Sequence, residues 1–319
     1  MGKFQNEGEI LQVSDLTKSF GDLVAVDGLS FDVYRGEIFG FLGPNGAGKT
    51  TSIHMICGLI KSDSGKISFN GLSLGSNYRH IRKQIGLCPQ DVVIWESLTC
   101  LEQLIFTARM YNLDPKQAKK RSIDLLEILG LVDKKKTMAK TLSGGMKRRL
   151  NIALALVHDP QFLILDEPQA GLDPQSRLLV REYIRSIADK KTVILTSHDM
   201  DEVDRLAQRI AIIDHGKLLV CETPQNLKNR VGEGDILEIK ISEEKDDEVK
   251  HLKENLPKNL RHLDHQKGTL RFTGTAIPNV LPELVATIHK TGLDIVDIMI
   301  RKKTLEDVFI HLTGRRLRE

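Results

Sequence analysis

The sequence predicts an α/β protein, a mostly parallel sheet with helices on both faces, followed by a smaller α+β unit. Three observations carry this. Short apolar runs (IFGFL at 38–42, FLIL at 162–165, VIL at 193–195) have the length and composition of buried strands. Segments with apolar residues at helical spacing alternate with them, the order that sandwiches a parallel sheet between helix layers. Near residue 226 the chain turns polar and glycine-containing (NLKNRVGEGD), and a different order of elements follows.

Residues 9–20 and 23–33 mix polar, β-branched and aromatic residues, and YRGE (34–37) separates them from IFGFL. They read as a set of N-terminal strands ending in a buried one. A glycine-rich turn and the helical run TTSIHMICGL come next, then a short β segment, KISFNGLSL. From about 97 to 140 the text is helix-rich (LTCLEQLIFTARMYNL, PKQAKKRSIDLLEILGL). LSGGMKRRLNIALALV reads as a helix capped by Ser143, with a core stripe of Met146, Leu150, Ala153, Leu154 and Val157. The strand FLILD, a helix near 175–189, the strand TVILTS and a helix at 200–208 complete the alternation. RIAIIDHGKLLV (209–220) reads as a hairpin with glycine in its turn.

Beyond a linker at NLKNRVGEGD, the pattern predicts strand 235–242, helix 244–255, strands near 260–264 and 268–273, helix 277–291, strand 293–301 and helix 304–313. The order βαββαβ predicts a small ferredoxin-like domain.

Composition excludes several classes. With 40% hydrophobic and 28% charged residues, the 319-residue chain is ordinary for a globular protein. Its 46 Lys and Arg are matched by 43 acids and spread along the chain, so no nucleic-acid footprint is expected. Cys57, Cys88, Cys100 and Cys221 form no CxxC pair and point to a reducing compartment. MGKFQNEGEI lacks the apolar core of a signal peptide, and MGKFQN lacks the Ser or Thr of a myristoylation site. No apolar run nears the roughly 18 residues of a membrane span.

Three motifs carry chemistry. GPNGAGKT at 43–50 is a full G-x-x-x-x-G-K-[ST] match between a strand and a helix. Gly43, Gly46 and Gly48 let successive N–H groups converge on phosphates; Lys49 brings positive charge to the β- and γ-phosphates, and the Thr50 hydroxyl suits Mg²⁺. FLILDEP at 162–168 delivers Asp166 and Glu167 to the carboxyl edge of the sheet, where α/β ligands bind. Asp166 is placed to hold Mg²⁺ and Glu167 to orient the attacking water. LSGGM at 142–146 opens a helix and makes a second anion site in a chain that already has a phosphate loop.

LSGGM resembles the signature of the ABC ATPases, and other landmarks of that family stand in their expected order over about residues 9–226: Phe20 in TKSFGD, Gln90 in CPQD, Asp173 in AGLDP and His198 in TSHDMDEV. The resemblance implies a P-loop NTPase core of the RecA-like kind, with an N-terminal antiparallel β subdomain and a helical subdomain at about 91–150. The accessory domain at 227–319 is left without a role: regulation, dimer bracing and covering the nucleotide unit all remain open.

The resemblance further implies ATP on Phe20 and the loop residues Gly43, Pro44, Asn45, Gly46, Ala47, Gly48, Lys49, Thr50 and Thr51. It implies Mg²⁺ on Thr50, Gln90 and Asp166, and catalysis by Lys49, Glu167 and His198. Two subunits, identical or homologous, face head to tail, with Ser143, Gly144, Gly145 and Asp173 crossing to the nucleotide of the other. A separate transmembrane permease completes the system at the cytoplasmic face of the cell membrane. Trp95 lies near the surface that receives the permease, though a core role suits it nearly as well.

This chain departs from the pattern at Met146 (usually Gln), Gln169 (often Thr) and Phe20 (usually Tyr). Met146 and the ending LEDVFIHLTG (305–314) resemble the drug- and antibiotic-exporter branch. The alternatives are a non-transport ABC ATPase acting on nucleic acid or ribosomes, and a regulatory module without turnover. The missing coiled-coil insertion and tandem unit speak against the first, and the presence of Glu167 and His198 against the second. RKK (301–303) and RRLR (315–318) read as solvated charge, with lipid headgroups as the other reading; His54, His158 and His215 are given no role.

Overall fold

The structure, a computed structural model, describes residues 8–188, 190–231, 234–242, 252, 256–257, 260–266 and 268–314. Its contacts divide the chain into two compact units, Met1–Pro224 and Gln225–Leu317.

In the first unit, β1 (Glu9–Phe20) and β2 (Leu23–Tyr34) form a long antiparallel pair. β3 (Ile38–Leu42) is buried at all five positions. The helix α1 (Lys49–Ile56) follows, then β4 (Ser64–Phe69) and the two-residue β5 (Leu72–Ser73), which join the N-terminal sheet in the order β2-β1-β4-β5. Next come α2 (Leu74–Arg82) and β6 (Ile85–Cys88), two elements that the sequence pattern did not announce. β6 has only four residues, and α2 is interrupted by non-helical backbone at Asn77.

The helix-rich stretch becomes α3 (Cys100–Met110), α4 (Pro115–Ile128) and α5 (Gly144–Leu156). Local chemistry sets each start. Thr99 and Glu102 make a reciprocal capping box on α3, Asp114 caps α4 ahead of Pro115, and the Ser143 hydroxyl accepts from the Met146 N–H on α5.

The remaining elements are β7 (Phe162–Asp166), α6 (Pro174–Ile187), β8 (Thr192–Ser197), α7 (Met200–Leu206) and the hairpin β9 (Arg209–Asp214) with β10 (Lys217–Glu222). The central sheet has the order β10-β9-β3-β8-β7-β6, parallel from β9 to β6, with β10 antiparallel at one edge. Buried on both faces, β3, β7 and β8 are read in sequence as continuous apolar runs. Phe31 of the N-terminal sheet stacks on Phe39 of the central one with ring centroids 5.4 Å apart, within a core that includes Ile53 and Ile56 of α1.

The predicted linker is partly helical: α8 (Pro224–Arg230) begins at a proline, whose fixed φ suits a first helical turn, and buries Leu227. The second unit then runs β11 (Asp235–Ile241), β12 (Leu260–Gln266), β13 (Thr269–Gly274), α9 (Ile277–Lys290), β14 (Ile295–Arg301) and α10 (Leu305–Thr313). The predicted helix 244–255 lies outside the described residues apart from Leu252, which is buried. The sheet order β12-β13-β11-β14, antiparallel throughout, is that of a ferredoxin-like sheet, and Leu237, Ile239 and Phe272 meet Leu284 and Ile288 in its core. Arg301 ties the start of α10 to this sheet through Asp307 at 2.7 Å and Glu238 at 2.8 Å. Among the described residues no helix is long and apolar enough to cross a membrane.

Candidate functional site

The loop between β3 and α1 must turn sharply and come close to its neighbours. Gly48 has φ +96°, and a Cβ there would meet the Ala25 carbonyl oxygen at 2.3 Å, so both conformation and space demand glycine. At Gly43 a Cβ would lie 2.4 Å from the Ile213 carbonyl oxygen. The N-cap, Gly48, has no side chain to hydrogen-bond the start of α1, and no acidic residue occupies the first turn of that helix. Its leading N–H groups and positive dipole end are left for an anion.

Lys49 is buried, and its Nζ donates to the carbonyls of Gly43 (2.6 Å) and Pro44 (3.0 Å). Burial pushes its ammonium below the usual lysine range, while the nearby Glu167 and Asp166 pull the other way. A phosphate entering here meets a cation whose desolvation is already complete.

The carboxyl ends of β7 and β8 hold the two acids. The Thr50 hydroxyl donates to Asp166 Oδ2 at 3.1 Å, and the Thr196 hydroxyl donates to Asp166 Oδ1. Thr196 Oγ1 also accepts from the Glu167 N–H at 3.0 Å, so one hydroxyl fixes the backbone of one acid and the carboxylate of the other. Glu167 has φ +50°, a left-handed conformation disfavoured for a residue with a Cβ. That turn aims its carboxylate at His198, whose Nδ1 is 2.9 Å from Oε2. Since a carboxylate only accepts, Nδ1 carries the hydrogen, and the ring is half-exposed.

Lys49, Thr50, Asp166 and Glu167 share one cleft of about 460 Å³ with Phe20, Leu23, Val24, Ala25, Asn45, Gly46, Gly48, Thr51, Gln90 and His215; His198 and Thr196 are not among its lining residues. Phe20 is 50% exposed, an aromatic face open to a planar ligand. Gly43, Pro44 and Ala47 shape the loop from behind, with the Ala47 N–H donating to the Pro44 carbonyl. Ser143, Gly144, Gly145 and Asp173 are not among the residues that line the cleft. Within its own chain Ser143 caps α5, and Asp173 caps α6 by accepting from the Ser176 N–H at 2.9 Å and hydroxyl at 2.7 Å.

Sequence reasoning missed Thr196 and His215. Thr196 is the fifth residue of an ordinary strand text, TVILTS. His215 reaches the cleft because its turn is pinned: the Gly216 N–H donates to the Ala47 carbonyl at 3.1 Å, and the Asp27 N–H donates to the Gly216 carbonyl at 3.0 Å. The D-H-G turn was a signal for a hairpin and gave no sign of where its tip would lie.

The profile of the ABC transporter family matches residues 26–170. The chain is 37% identical to the linearmycin resistance ATP-binding protein LnrL of Bacillus subtilis, over 97% of this chain and 100% of that protein. It is 35% identical to the daunorubicin resistance ATP-binding protein DrrA2 of Streptomyces coeruleorubidus, over 97% of each. The Nod factor export ATP-binding protein I of a Rhizobium species is 37% identical, over 96% of this chain and 98% of that protein. Among solved structures, an ATP-binding subunit of an ABC transporter superposes with TM-score 0.65 at 29% identity, covering 69% of this chain and 92% of its own. CbiO1 from Clostridium perfringens superposes with TM-score 0.63 at 29% identity, covering 69% and 91%. With the phosphate loop, the paired acids and the signature helix in one fold, this chain belongs to the ABC transporter ATP-binding proteins and is an ATPase subunit of such a transporter.

Proposed function

We propose that the chain drives export, as one of two ATPase subunits that close head to tail on ATP beneath a separate permease at the cytoplasmic face of the membrane. The relatives named for resistance and export support the direction of transport. One observation carries the pairing: Ser143 to Gly145 form a helix N-terminus suited to phosphate, yet they stand apart from the cleft that holds Lys49 and Glu167. A second copy, identical or homologous, supplies the missing wall. Residues 1–226 form the nucleotide unit in this reading, with the helical part at about 91–150, and 227–319 the accessory domain.

The roles follow from position. Phe20 takes the adenine, and residues 43–51 cradle the phosphates with Lys49 between β and γ. Glu167 orients water, held by His198, whose other ring nitrogen would reach the γ-phosphate. Asp173 borders the second copy. Thr50, Gln90 and Asp166 offer a hydroxyl, an amide oxygen and a carboxylate, the hard oxygen donors that Mg²⁺ prefers, and the ion would neutralise phosphate charge there. Among the described residues no cluster of three or more His, Cys, Asp or Glu could hold a metal.

Beside Gln90 lies a second, apolar cleft of about 320 Å³ lined by Leu59, Tyr78, Val93, Trp95 and Tyr111 among others, with Val93 65% and Trp95 45% exposed. It suits a helix offered by the permease.

Mixing Lys49→Ala with Ser143→Ala subunits tests the composite site. Mixed dimers keep one site with both halves intact, so activity should return to a fraction of wild type. A mixture no more active than either variant alone sinks the pairing.

A further inference from the structure

We propose that Arg148 is a positioning residue for ATP hydrolysis, locking the Gln90 segment and the Glu167 segment into one rigid block. This rests on the reading of Glu167 as the water-orienting group.

Arg148 lies on α5, five residues beyond Ser143, and is only 2% exposed. Its Nε donates to the Pro168 carbonyl (3.2 Å). Nη1 donates to the carbonyls of Pro89 (2.6 Å) and Gln90 (2.8 Å), and Nη2 to those of Asp166 (2.6 Å) and Glu167 (2.8 Å). Every bond described for it goes to a main-chain oxygen. A guanidinium has five N–H groups in a planar fork, and all five are used.

The topology shows what this arrangement does. β6 and β7 run parallel, and their ladder ends at the pair Cys88 and Leu165. Just past that point the two strands yield Pro89–Gln90 and Asp166–Pro168, where the sheet no longer couples them. Arg148 takes over, bridging both segments from a third element. One turn further along the same helix face, Asn151 Nδ2 reaches the Asp91 carbonyl and Cys88 Sγ, each at 3.4 Å. The helix that begins with Ser143 is thus fastened to the loop of Gln90 and to the backbone that aims Glu167. Burying a cation without a carboxylate is expensive, and a neutral side chain could fill the same space. A planar fork gathering five carbonyls is what the charge makes possible.

Arg148 does not line the nucleotide cleft. Its loss should therefore misplace Glu167 while leaving nucleotide affinity intact.

Arg148→Lys keeps the charge but offers a point donor instead of a fork. The expected result is ATP affinity, measured by fluorescent-analogue titration, within about twofold of wild type, with kcat lower by about ten- to a hundredfold, the scale of a small misplacement at a catalytic group. Arg149→Lys is the control for simple loosening of α5. That arginine faces the carbonyls of Leu129 and Gly130 instead, so its loss should lower the melting temperature and spare kcat. Arg148→Lys turning over within twofold of wild type overturns the inference. So does a parallel loss of affinity and kcat, or an equal kcat loss in Arg149→Lys. Glu167→Gln, assayed alongside, separates the two readings. If it still hydrolyses ATP, the assignment of Glu167 fails and the role of Arg148 with it. If it is inactive while Arg148→Lys is unimpaired, only the role of Arg148 fails.

Discussion

His158, just beyond α5, makes the stability of this chain pH-dependent in a direction the structure dictates. Its ring stacks on Tyr111 with centroids 3.8 Å apart and planes 14° from parallel, and Nε2 lies 3.1 Å from the Ile85 carbonyl oxygen. The carbonyl accepts, so Nε2 holds the hydrogen of the neutral ring. Nδ1 is then the atom that must take the second proton, and it is buried with no hydrogen-bond partner among the described residues. Burial pushes the imidazole down to about 4; Arg121 and Lys191 reinforce the shift, against the Ile85 bond and Asp159. Because the folded value is depressed, the stabilisation is present above the unfolded value of 6.5 and is lost as pH falls from 6.5 toward 4. Between pH 7 and pH 5 the unfolded chain gains a proton that the folded chain refuses, a loss of about 2 kcal/mol at 1.36 kcal/mol per pH unit. His158→Gln keeps a neutral donor for Ile85 and removes the titration. Urea unfolding of both proteins at pH 7 and pH 5 should show the wild type losing about 2 kcal/mol more than the variant. Equal losses would mean that His158 is protonated in the fold and that the reasoning from Nδ1 is wrong.

Thr196→Val keeps the strand's shape but strips a donor from Asp166 and an acceptor from the Glu167 N–H. With a hydrogen bond to a charged group contributing about 1.5–3 kcal/mol, stability should fall by about 2 kcal/mol and kcat by about tenfold, read by chemical unfolding and phosphate release; an unchanged kcat argues against the hydroxyl as the link between the acids. Gln169, which follows the two acids and Pro168, has both amide atoms buried and unpartnered among the described residues. Gln169→Leu should therefore raise the melting temperature of the nucleotide-free chain, corresponding to about 1 kcal/mol, and a drop would show that the amide has a partner in solution. Arg301→Met leaves the buried carboxylate of Asp307 without its cation, so the second unit should lose about 3 kcal/mol and its amides exchange faster, while those of the first unit hold.

The elements legible in the sequence were those whose burial leaves a mark on composition. β3, β7 and β8 are buried at every position and carry apolar runs (IFGFL, FLIL, VIL) because both faces are covered, and the starts of α3, α4 and α5 carry their own caps. β6 was hidden for the opposite reason. Its four residues are too short a run to stand out, and one of them is Gly86, where a Cβ would lie 2.2 Å from the Ala155 carbonyl oxygen, so the close approach to α5 interrupts the apolar signal of Ile85, Leu87 and Cys88. α8 was hidden because Leu227 is its one buried residue, and the rest of PQNLKNR reads as linker.

The site divides along a similar line. Residues that meet a ligand through their own side chains stand in spaced motifs, and the residue types alone suggest the chemistry: a lysine after glycines, two acids after a buried strand. Arg148 acts on main-chain groups alone and Thr196 partly so, and every sequence supplies main-chain groups everywhere. A threonine near the end of TVILTS looks like a good strand former, and the second basic residue of KRR looks like solvated charge. Only the fold shows that the strand ends at Glu167 and Gln90 converge on Arg148, and that Thr196 of β8 faces Asp166 of the neighbouring β7. The ligand-facing half of such a site is therefore written in side-chain identity. The half that sets its geometry is written in topology, and it is there that substitutions should separate turnover from binding.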